Sequence, residues 1–173
     1  MSLRIREATE ADVPVIAWFI RQLAEYERLL DDVAMTEETL RQSLFGPRPG
    51  AEVLLGYDAD KPVGFAVFFL NFSTFLGKPG LYLEDLFVIP EMRGKGFGRA
   101  LLVHLAKIAR DRNCGRFEWA VLDWNKPSID FYKKLGAVPM DEWTIFRVTG
   151  EALERLAGEG DAKVHRRGGS GQK

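Results

Sequence analysis

The chain is poor in the residues that carry disulfide, redox and metal chemistry. Its 173 residues include one cysteine, Cys114, and two histidines. An internal disulfide is therefore excluded, and a metal site built from His and Cys would have few ligands. A single cysteine suits a reducing compartment, so we expect a cytoplasmic protein without a bound metal.

The chain also lacks a long hydrophobic segment and an excess of charge. Its longest apolar run, around FAVFFL, has the length of a strand, and the N-terminal MSLRIREATEADVP has no apolar signal-peptide core. Lys and Arg total 24 against 25 Asp and Glu, for a net charge of -1. We therefore expect no membrane and no nucleic acid among its partners.

Hydrophobic patterning predicts one mixed α/β domain over residues 1–158, followed by a disordered polar tail over 159–173. Capping and start residues predict helices after Thr9, Thr36, Asn125 and Thr149. The spacing of Phe97, Leu101, Leu105 and Ile108 predicts a helix over 97–112. The predicted strands are LRIREA, EVLLGYD, PVGFAVFFLNF, LYLEDLFVI, RFEWAVLD and WTIFRV. The second and third of these are expected to form an antiparallel hairpin.

A glycine-rich loop, MRGKGFG at residues 92–98, lies between a strand pattern and a helix pattern. Backbone N–H groups at the start of a helix suit phosphate oxygens, and glycine lets a ligand approach closely. The P-loop pattern and the dinucleotide G-x-G-x-x-G pattern both fail here. The pattern R/Q-x-x-G-x-G/A is matched by Arg93, Gly96 and Gly98. Taken alone, the loop is equally compatible with a plain strand-to-helix turn.

Three stretches in order, LAEYE, LYLEDLFVIPEMRGKGFG and WNKPSIDFYKKLGA, give the chain a family resemblance. From about Arg4 to Ala157 it resembles the GCN5-related N-acetyltransferases (GNAT), within them the diamine acetyltransferases and their thialysine-acetylating relatives. The resemblance implies a single central sheet of about six to seven strands flanked by helices, with two strands splayed around acetyl-CoA. It also implies a homodimer.

The resemblance assigns the loop amides to the pyrophosphate of acetyl-CoA, and the strand before them to main-chain pairing with the pantetheine arm. Asn125 would contact the pantetheine or hold its helix, although an Asn at a helix cap is common. The residues that the resemblance places around acetyl-CoA are Leu86, Phe87, Val88, Arg93, Gly94, Lys95, Gly96, Phe97, Gly98, Arg99, Asn125, Pro127, Ser128 and Tyr132.

Acetyl transfer to an amine needs a neutral amine and a proton for the departing thiolate. By resemblance, Tyr132 donates that proton, a role that a phenol can fill at neutral pH. The alternative is that Tyr132 only packs beside Phe131. Glu84 is assigned to uptake of the amine's proton, directly or through water, against the alternative of an ordinary solvated acid. Because Glu84 and Asp85 are adjacent on a strand, we expect them to point to opposite faces.

Tyr26 and Glu27, with Glu84 and Asp85, are the residues that the resemblance assigns to the amine substrate. The acids around LAEYE would favour a small cationic amine, although a solvated helix end explains each acid singly. The expected function is acetyl-CoA-dependent acetylation of a polyamine, diamine or thialysine-like amine in a ternary complex. The alternatives are a non-catalytic acetyl-CoA sensor on the same fold, and an acetyltransferase for an amino acid, aminoglycoside or peptide.

Overall fold

A computed structural model describes residues 3–159, which divide into two compact units. The first unit ends at Asp123 and the second begins at Trp124. The organisation of 1–158 as a single domain stays a prediction, because each unit is described by itself. Residues 160–173, nearly all of the predicted tail, lie outside the described residues.

The first unit is a mixed sheet with helices on both faces. Within residues 3–159 the structure has five strands, fewer than the six to seven predicted. The strands are β1 (Leu3–Glu7), β2 (Glu52–Asp58), β3 (Lys61–Ser73), β4 (Lys78–Val88) and β5 (Arg116–Trp119). The helices of this unit are α1 (Val13–Glu27), α2 (Glu37–Phe45) and α3 (Phe97–Asp111).

The five strands lie side by side in the order β1-β2-β3-β4-β5. The first four pair antiparallel, and the predicted hairpin of β2 and β3 is confirmed. β5 pairs parallel to β4, because the chain crosses between their ends through α3, as a parallel connection requires. The mixed α/β class predicted from the sequence is therefore confirmed.

α1 and α3 cover opposite faces of the sheet. From α1, the ring of Phe19 stacks on Phe65 of β3 at 5.1 Å between centroids and meets Phe87 of β4 at 6.4 Å. On the other face, a Cβ at Gly64 would lie 3.4 Å from Leu101 of α3. Neighbouring residues of a strand point to opposite faces, so α1 lies on the face of Phe65 and Phe87 and α3 lies on the face of Gly64.

An ion pair fixes the start of α1 to the sheet. Arg6 of β1 donates to both carboxylate oxygens of Asp12, at 2.7 and 2.8 Å, and to the Tyr57 hydroxyl at 2.9 Å. The Arg6 guanidinium holds the pKa of Asp12 well below its usual range, and Asp12 raises the pKa of Arg6. The Asp12 carboxylate also accepts the Thr9 N–H at 2.7 Å, which confirms the predicted cap.

The second unit contains two short helices, α4 (Lys126–Lys134) and α5 (Gly150–Gly158). The prediction of a strand over WTIFRV, 143–148, is wrong: these residues have no regular secondary structure. A strand needs a partner for its ladder, and the described part of this unit contains no other strand. Trp143, Ile145 and Phe146 are correspondingly 75%, 77% and 90% exposed.

Candidate functional site

A β-bulge interrupts β4 at Glu84. Leu83 lies opposite Phe68, but Asp85 lies opposite the adjacent Val67, so Glu84 is an extra residue in the ladder. Asp85 therefore lies on the α1 face, two residues before Phe87. The expectation that Glu84 and Asp85 point to opposite faces assumed strict alternation, and the bulge removes that assumption.

β4 loses its second neighbour at the same point. β5 pairs with Gly80–Leu83, and no described strand pairs with residues 84–88 on that side. The Ile89 N–H donates to the Val63 carbonyl on β3 at 3.0 Å. Since antiparallel residues alternate in direction, Leu86 and Val88 turn their backbone polar groups to the open side, whereas Phe87 bonds β3.

The bulge brings acidic side chains together on the α1 face. Burial, reinforced by the charges of Glu84 and Glu27, raises the pKa of Asp85 to about 6 from an ordinary 3.8. Burial also raises the pKa of Glu27, which lies in the last turn of α1. Glu84 itself is exposed. These carboxylates create a negative potential that suits a cation.

The glycine loop follows the open part of β4 with an uncrowded backbone. A 3₁₀ turn, Pro90–Met92, leads into it, and Gly96 is the N-cap of the 15-residue α3. Gly94 and Gly96 have left-handed φ values of 74° and 88°, and no described atom lies within 4 Å of a Cβ built on either. A ligand group can therefore approach these backbone atoms at a helix N-terminus.

The other predicted loop residues differ in what their side chains can contribute. Lys95 and Arg99 are exposed, so their charges face solvent. The Phe97 side chain is 3% exposed and belongs to the core, which leaves only its backbone for a ligand. Gly98 is half-buried in the first turn of α3.

Arg93 connects this loop to α1. Its guanidinium carbon lies 4.4 Å from the ring centroid of Tyr26 and 5.2 Å from that of Phe87. Its Nε–H donates to the Val88 carbonyl at 2.9 Å. The side chain thus contacts one predicted substrate residue and two predicted cofactor residues, a link that sequence spacing does not reveal.

Tyr82 and Glu118 were not predicted, yet they lie on the same face as the acidic side chains. They face each other across the β4–β5 ladder. Burial raises the pKa of Tyr82, and the charges of Glu84 and Glu118 raise it further. Glu118 forms an ion pair with Arg116 at 2.9 Å. The alternation in RFEW, which places Arg116 and Glu118 on one face, is the sequence signal that could have identified them.

In the second unit, Asn125 caps α4 as predicted. Its Oδ1 accepts the Ser128 N–H at 3.4 Å, with Pro127 in the first turn, and Asn125 is buried. Tyr132 is half-buried on the same helix, and its ring lies 5.5 Å from that of Phe131. The cap fixes where α4 begins and hence which of its turns carries Tyr132.

Residues 3–159 contain neither a metal-binding cluster nor a membrane-spanning helix. No three His, Cys, Asp or Glu side chains in that range are arranged to hold a metal ion. None of its helices is long and apolar enough to cross a membrane.

Comparison with known proteins identifies relatives over most of the chain. The acetyltransferase (GNAT) family matches residues 16–137. A thialysine N-epsilon-acetyltransferase from Sus scrofa is 42% identical, with 91% of this chain and 99% of that protein covered. An L-ornithine N5-acetyltransferase from Arabidopsis thaliana is 35% identical, with 90% and 88% covered.

A solved structure supports the same assignment. An integron cassette protein from the mobile metagenome of V. cholerae is 31% identical and superposes with a TM-score of 0.76. The match covers 91% of this chain and 98% of that one. The resemblance inferred from three sequence stretches is therefore confirmed.

Proposed function

Because this chain belongs to the GNAT acetyltransferase family and is an N-acetyltransferase, we propose that it acetylates the primary amine of a small cationic substrate. The acetyl donor is acetyl-CoA, and the amine attacks directly within a ternary complex. The observation that carries the proposal is the open half of β4, with the glycine loop at its end and carboxylates on its α1 face.

The residues of the first unit fit acetyl-CoA, the donor that GNAT acetyltransferases use. An open backbone at Gly94 and Gly96, before the N-terminus of α3, suits pyrophosphate oxygens. The backbone groups of Leu86 and the N–H of Val88 suit the amides of a pantetheine arm, and Phe87 contributes its side chain instead. When bound, acetyl-CoA supplies an activated acetyl thioester.

The amine must lose a proton before it can attack. We assign its uptake to the pair Glu84 and Asp85, with Asp85 as the stronger base, because a carboxylate with a pKa of about 6 binds a proton more tightly than an ordinary one. Glu84, the exposed member, holds the cation or relays the proton through water. Glu27 and Tyr26 complete the amine side from the last turn of α1.

The departing thiolate needs a proton, and we assign it to the Tyr132 hydroxyl. A phenol stays protonated at neutral pH and can still donate to a thiolate. The alternative role, packing beside Phe131, predicts that removal of the hydroxyl leaves turnover unchanged. Asn125, as the cap of α4, helps to hold the helix that carries Tyr132.

The acidic face supports a substrate with positive charge at the reacting end. The pig and Arabidopsis relatives are named for distal amines of amino acids, thialysine and ornithine. We therefore rank a distal amine of a thialysine-like amino acid first, and a diamine or polyamine second. Both place an ammonium beside Asp85, and they differ in whether a carboxylate lies at the far end.

Two further properties belong to the same proposal. We propose a homodimer, supported by exposed apolar side chains of the second unit such as Trp143, Ile145 and Leu156. A cytoplasmic location is supported by the lone cysteine, Cys114, which is free and half-buried.

The test is thiol release from acetyl-CoA by the purified full chain against a panel of amines. The panel contains thialysine, ornithine, lysine, spermidine, putrescine, an aminoglycoside and a short peptide, with the pig relative assayed in parallel. We expect saturable release with thialysine or ornithine. No release with any amine, while acetyl-CoA still raises the melting temperature, would favour the non-catalytic sensor. Release with only the aminoglycoside or the peptide would overturn the substrate class.

A further inference from the structure

Among the described residues, the Arg93 side chain joins the glycine loop to Tyr26 on the amine side of the site. We propose that Arg93 is a positioning residue that couples acetyl-CoA binding at the glycine loop to the placement of Tyr26 and Glu27. This inference rests on the proposed function for the identity of the two ligands. It assigns Arg93 a role that a charge facing a phosphate would not have.

The first step is the stacking of Arg93 on α1. Its guanidinium lies 4.4 Å from the Tyr26 ring centroid, well inside the roughly 6 Å range of a cation–π contact. Phe87 flanks the same guanidinium at 5.2 Å. Tyr26 is in the last turn of α1, the helix ends at Glu27, and its C-cap Arg28 has a left-handed φ of 63°. A contact on this last turn therefore orients the segment that carries Glu27.

The second step is the bond from Arg93 to the open edge. The Val88 carbonyl faces away from β3, where no described strand pairs with it. The Arg93 Nε–H satisfies this carbonyl at 2.9 Å. Arg93 is also the second residue of the glycine loop. Its backbone is joined to Gly94, and its side chain contacts β4 and α1. A ligand that fixes the loop therefore fixes the last turn of α1 as well.

Lys95, two residues further along the same loop, gives a matched contrast. Its ammonium contacts the Met92 sulfur at 3.5 Å, within its own turn. Loss of its charge would weaken the binding of an anion to the loop without changing any contact with α1. The two cations therefore separate a coupling role from a purely electrostatic one.

The kinetic test compares Arg93→Met, Lys95→Met and Tyr26→Leu in the purified enzyme. For Arg93→Met and Tyr26→Leu we expect the amine KM to rise roughly two- to five-fold, the range of an exposed cation–π contact, with a smaller change in acetyl-CoA Kd. Lys95→Met should show the reverse pattern. The double variant Arg93→Met/Tyr26→Leu should raise the amine KM by less than the two single effects combined. Tyr26→Phe, which keeps the aromatic ring that Tyr26→Leu removes, should bring the amine KM back to the wild-type value. A rise in acetyl-CoA Kd with an unchanged amine KM in Arg93→Met would overturn the proposal.

A second readout does not require turnover. Hydrogen exchange of residues 24–29 is measured with and without acetyl-CoA, in wild type and in Arg93→Lys, which keeps the charge but loses the planar group. We expect acetyl-CoA to slow exchange there in wild type and much less in the variant. No slowing in wild type, or equal slowing in both, would overturn the coupling. If no amine is acetylated, the proposed function fails while this exchange experiment still tests the coupling.

Discussion

The two halves of β4 both carry apolar side chains but have different surroundings. The paired half, 80–83, lies between β3 and β5, whereas the open half, 84–88, is paired on one side only among the described residues. Both halves bury apolar side chains, with Leu81 and Leu83 in one and Phe87 and Val88 in the other. The difference is the backbone: one half has its polar groups paired on both sides, and the other leaves those of Leu86 and Val88 on an open edge.

Two candidate site residues lie at the transition between the halves. Glu84 is the bulged residue at the boundary, and Asp85 is the first residue beyond it. An extra residue at this point re-aims side chains while the strand continues, which is a common use of bulges near functional sites. The same strand thus provides a rigid anchor, through Leu81 and Leu83, and an edge that a ligand can pair with.

The largest effect is expected at a tyrosine hydroxyl. Tyr132→Phe should lower kcat by roughly 100- to 1,000-fold, because proton donation to a leaving group typically contributes that much, while acetyl-CoA Kd is unchanged. Tyr82→Phe, which removes a phenol from the paired half of β4, is the matched control and should change kcat far less. Pre-steady-state thiol release measures both variants. Equal losses in the two would remove the special role of Tyr132.

The next largest effect is expected at the loop after the open half. Gly96→Val should weaken acetyl-CoA binding by at least roughly 100-fold, because a branched side chain crowds a backbone that a ligand must approach. Gly77→Val in the turn before the paired half is the control, since Gly77 has a similar φ of 62° and equally open surroundings. Both should lose stability, about 1–2 kcal/mol from left-handed strain. Calorimetric titration should find weaker acetyl-CoA binding only in Gly96→Val. Equal affinities in the two variants would refute the proposed contact between the glycine loop and the pyrophosphate.

Much of the fold could be predicted because its signals are local. Thr9 with Asp12 predicted the cap before α1, and the four- and three-residue spacing of Phe97, Leu101, Leu105 and Ile108 predicted α3. Local signals could not decide whether residues 143–148 form a strand. Its apolar pattern is real, but whether a segment becomes a strand depends on a partner that the pattern does not identify.

The candidate site likewise has residues that local signals could predict and features that only the fold reveals. Gly94, Gly96 and the acids of LYLEDLFV were identified from their order along the chain. The bulge at Glu84 was not predicted, because a bulge inserts one residue without leaving a distinctive sequence mark. The contact between Arg93 and Tyr26 joins residues 67 positions apart, and only the fold brings them together.

A smaller effect is expected from the carboxylate beyond the bulge. Asp85→Asn should lower kcat/KM for the amine about tenfold at pH 8 and remove a rise in activity through about pH 6, where Asp85 loses its proton. Glu118→Gln, a carboxylate facing the paired half, should leave that rise in place. A pH–rate profile with a saturating acetyl donor measures both. If Glu84→Gln removes the rise and Asp85→Asn does not, proton uptake belongs to Glu84.

The same substitution has a stability readout with a defined sign. The pKa of Asp85 is about 6 in the folded protein and near 3.8 in the unfolded chain, so folding favours the protonated form. Its contribution to stability is present below pH 3.8 and is lost as the pH rises through about 6. Asp85→Asn should therefore stabilise the protein by up to about 3 kcal/mol at pH 8 and have little effect at pH 4. Urea unfolding at the two pH values measures it, and a loss of stability at pH 8 would contradict the raised pKa.

The smallest effect is expected in the backbone of the open half itself. Without ligand, the N–H groups of Leu86 and Val88 should exchange with solvent about tenfold faster than that of Phe87 between them, because only Phe87 bonds β3. Acetyl-CoA should slow Leu86 and Val88 and leave Tyr82 and Leu83 in the paired half unchanged. Residue-resolved hydrogen exchange makes the comparison within one strand, where burial and sequence are closely matched. Equal protection at all three positions without ligand would mean that the edge is already closed, and the pantetheine arm would then need another partner.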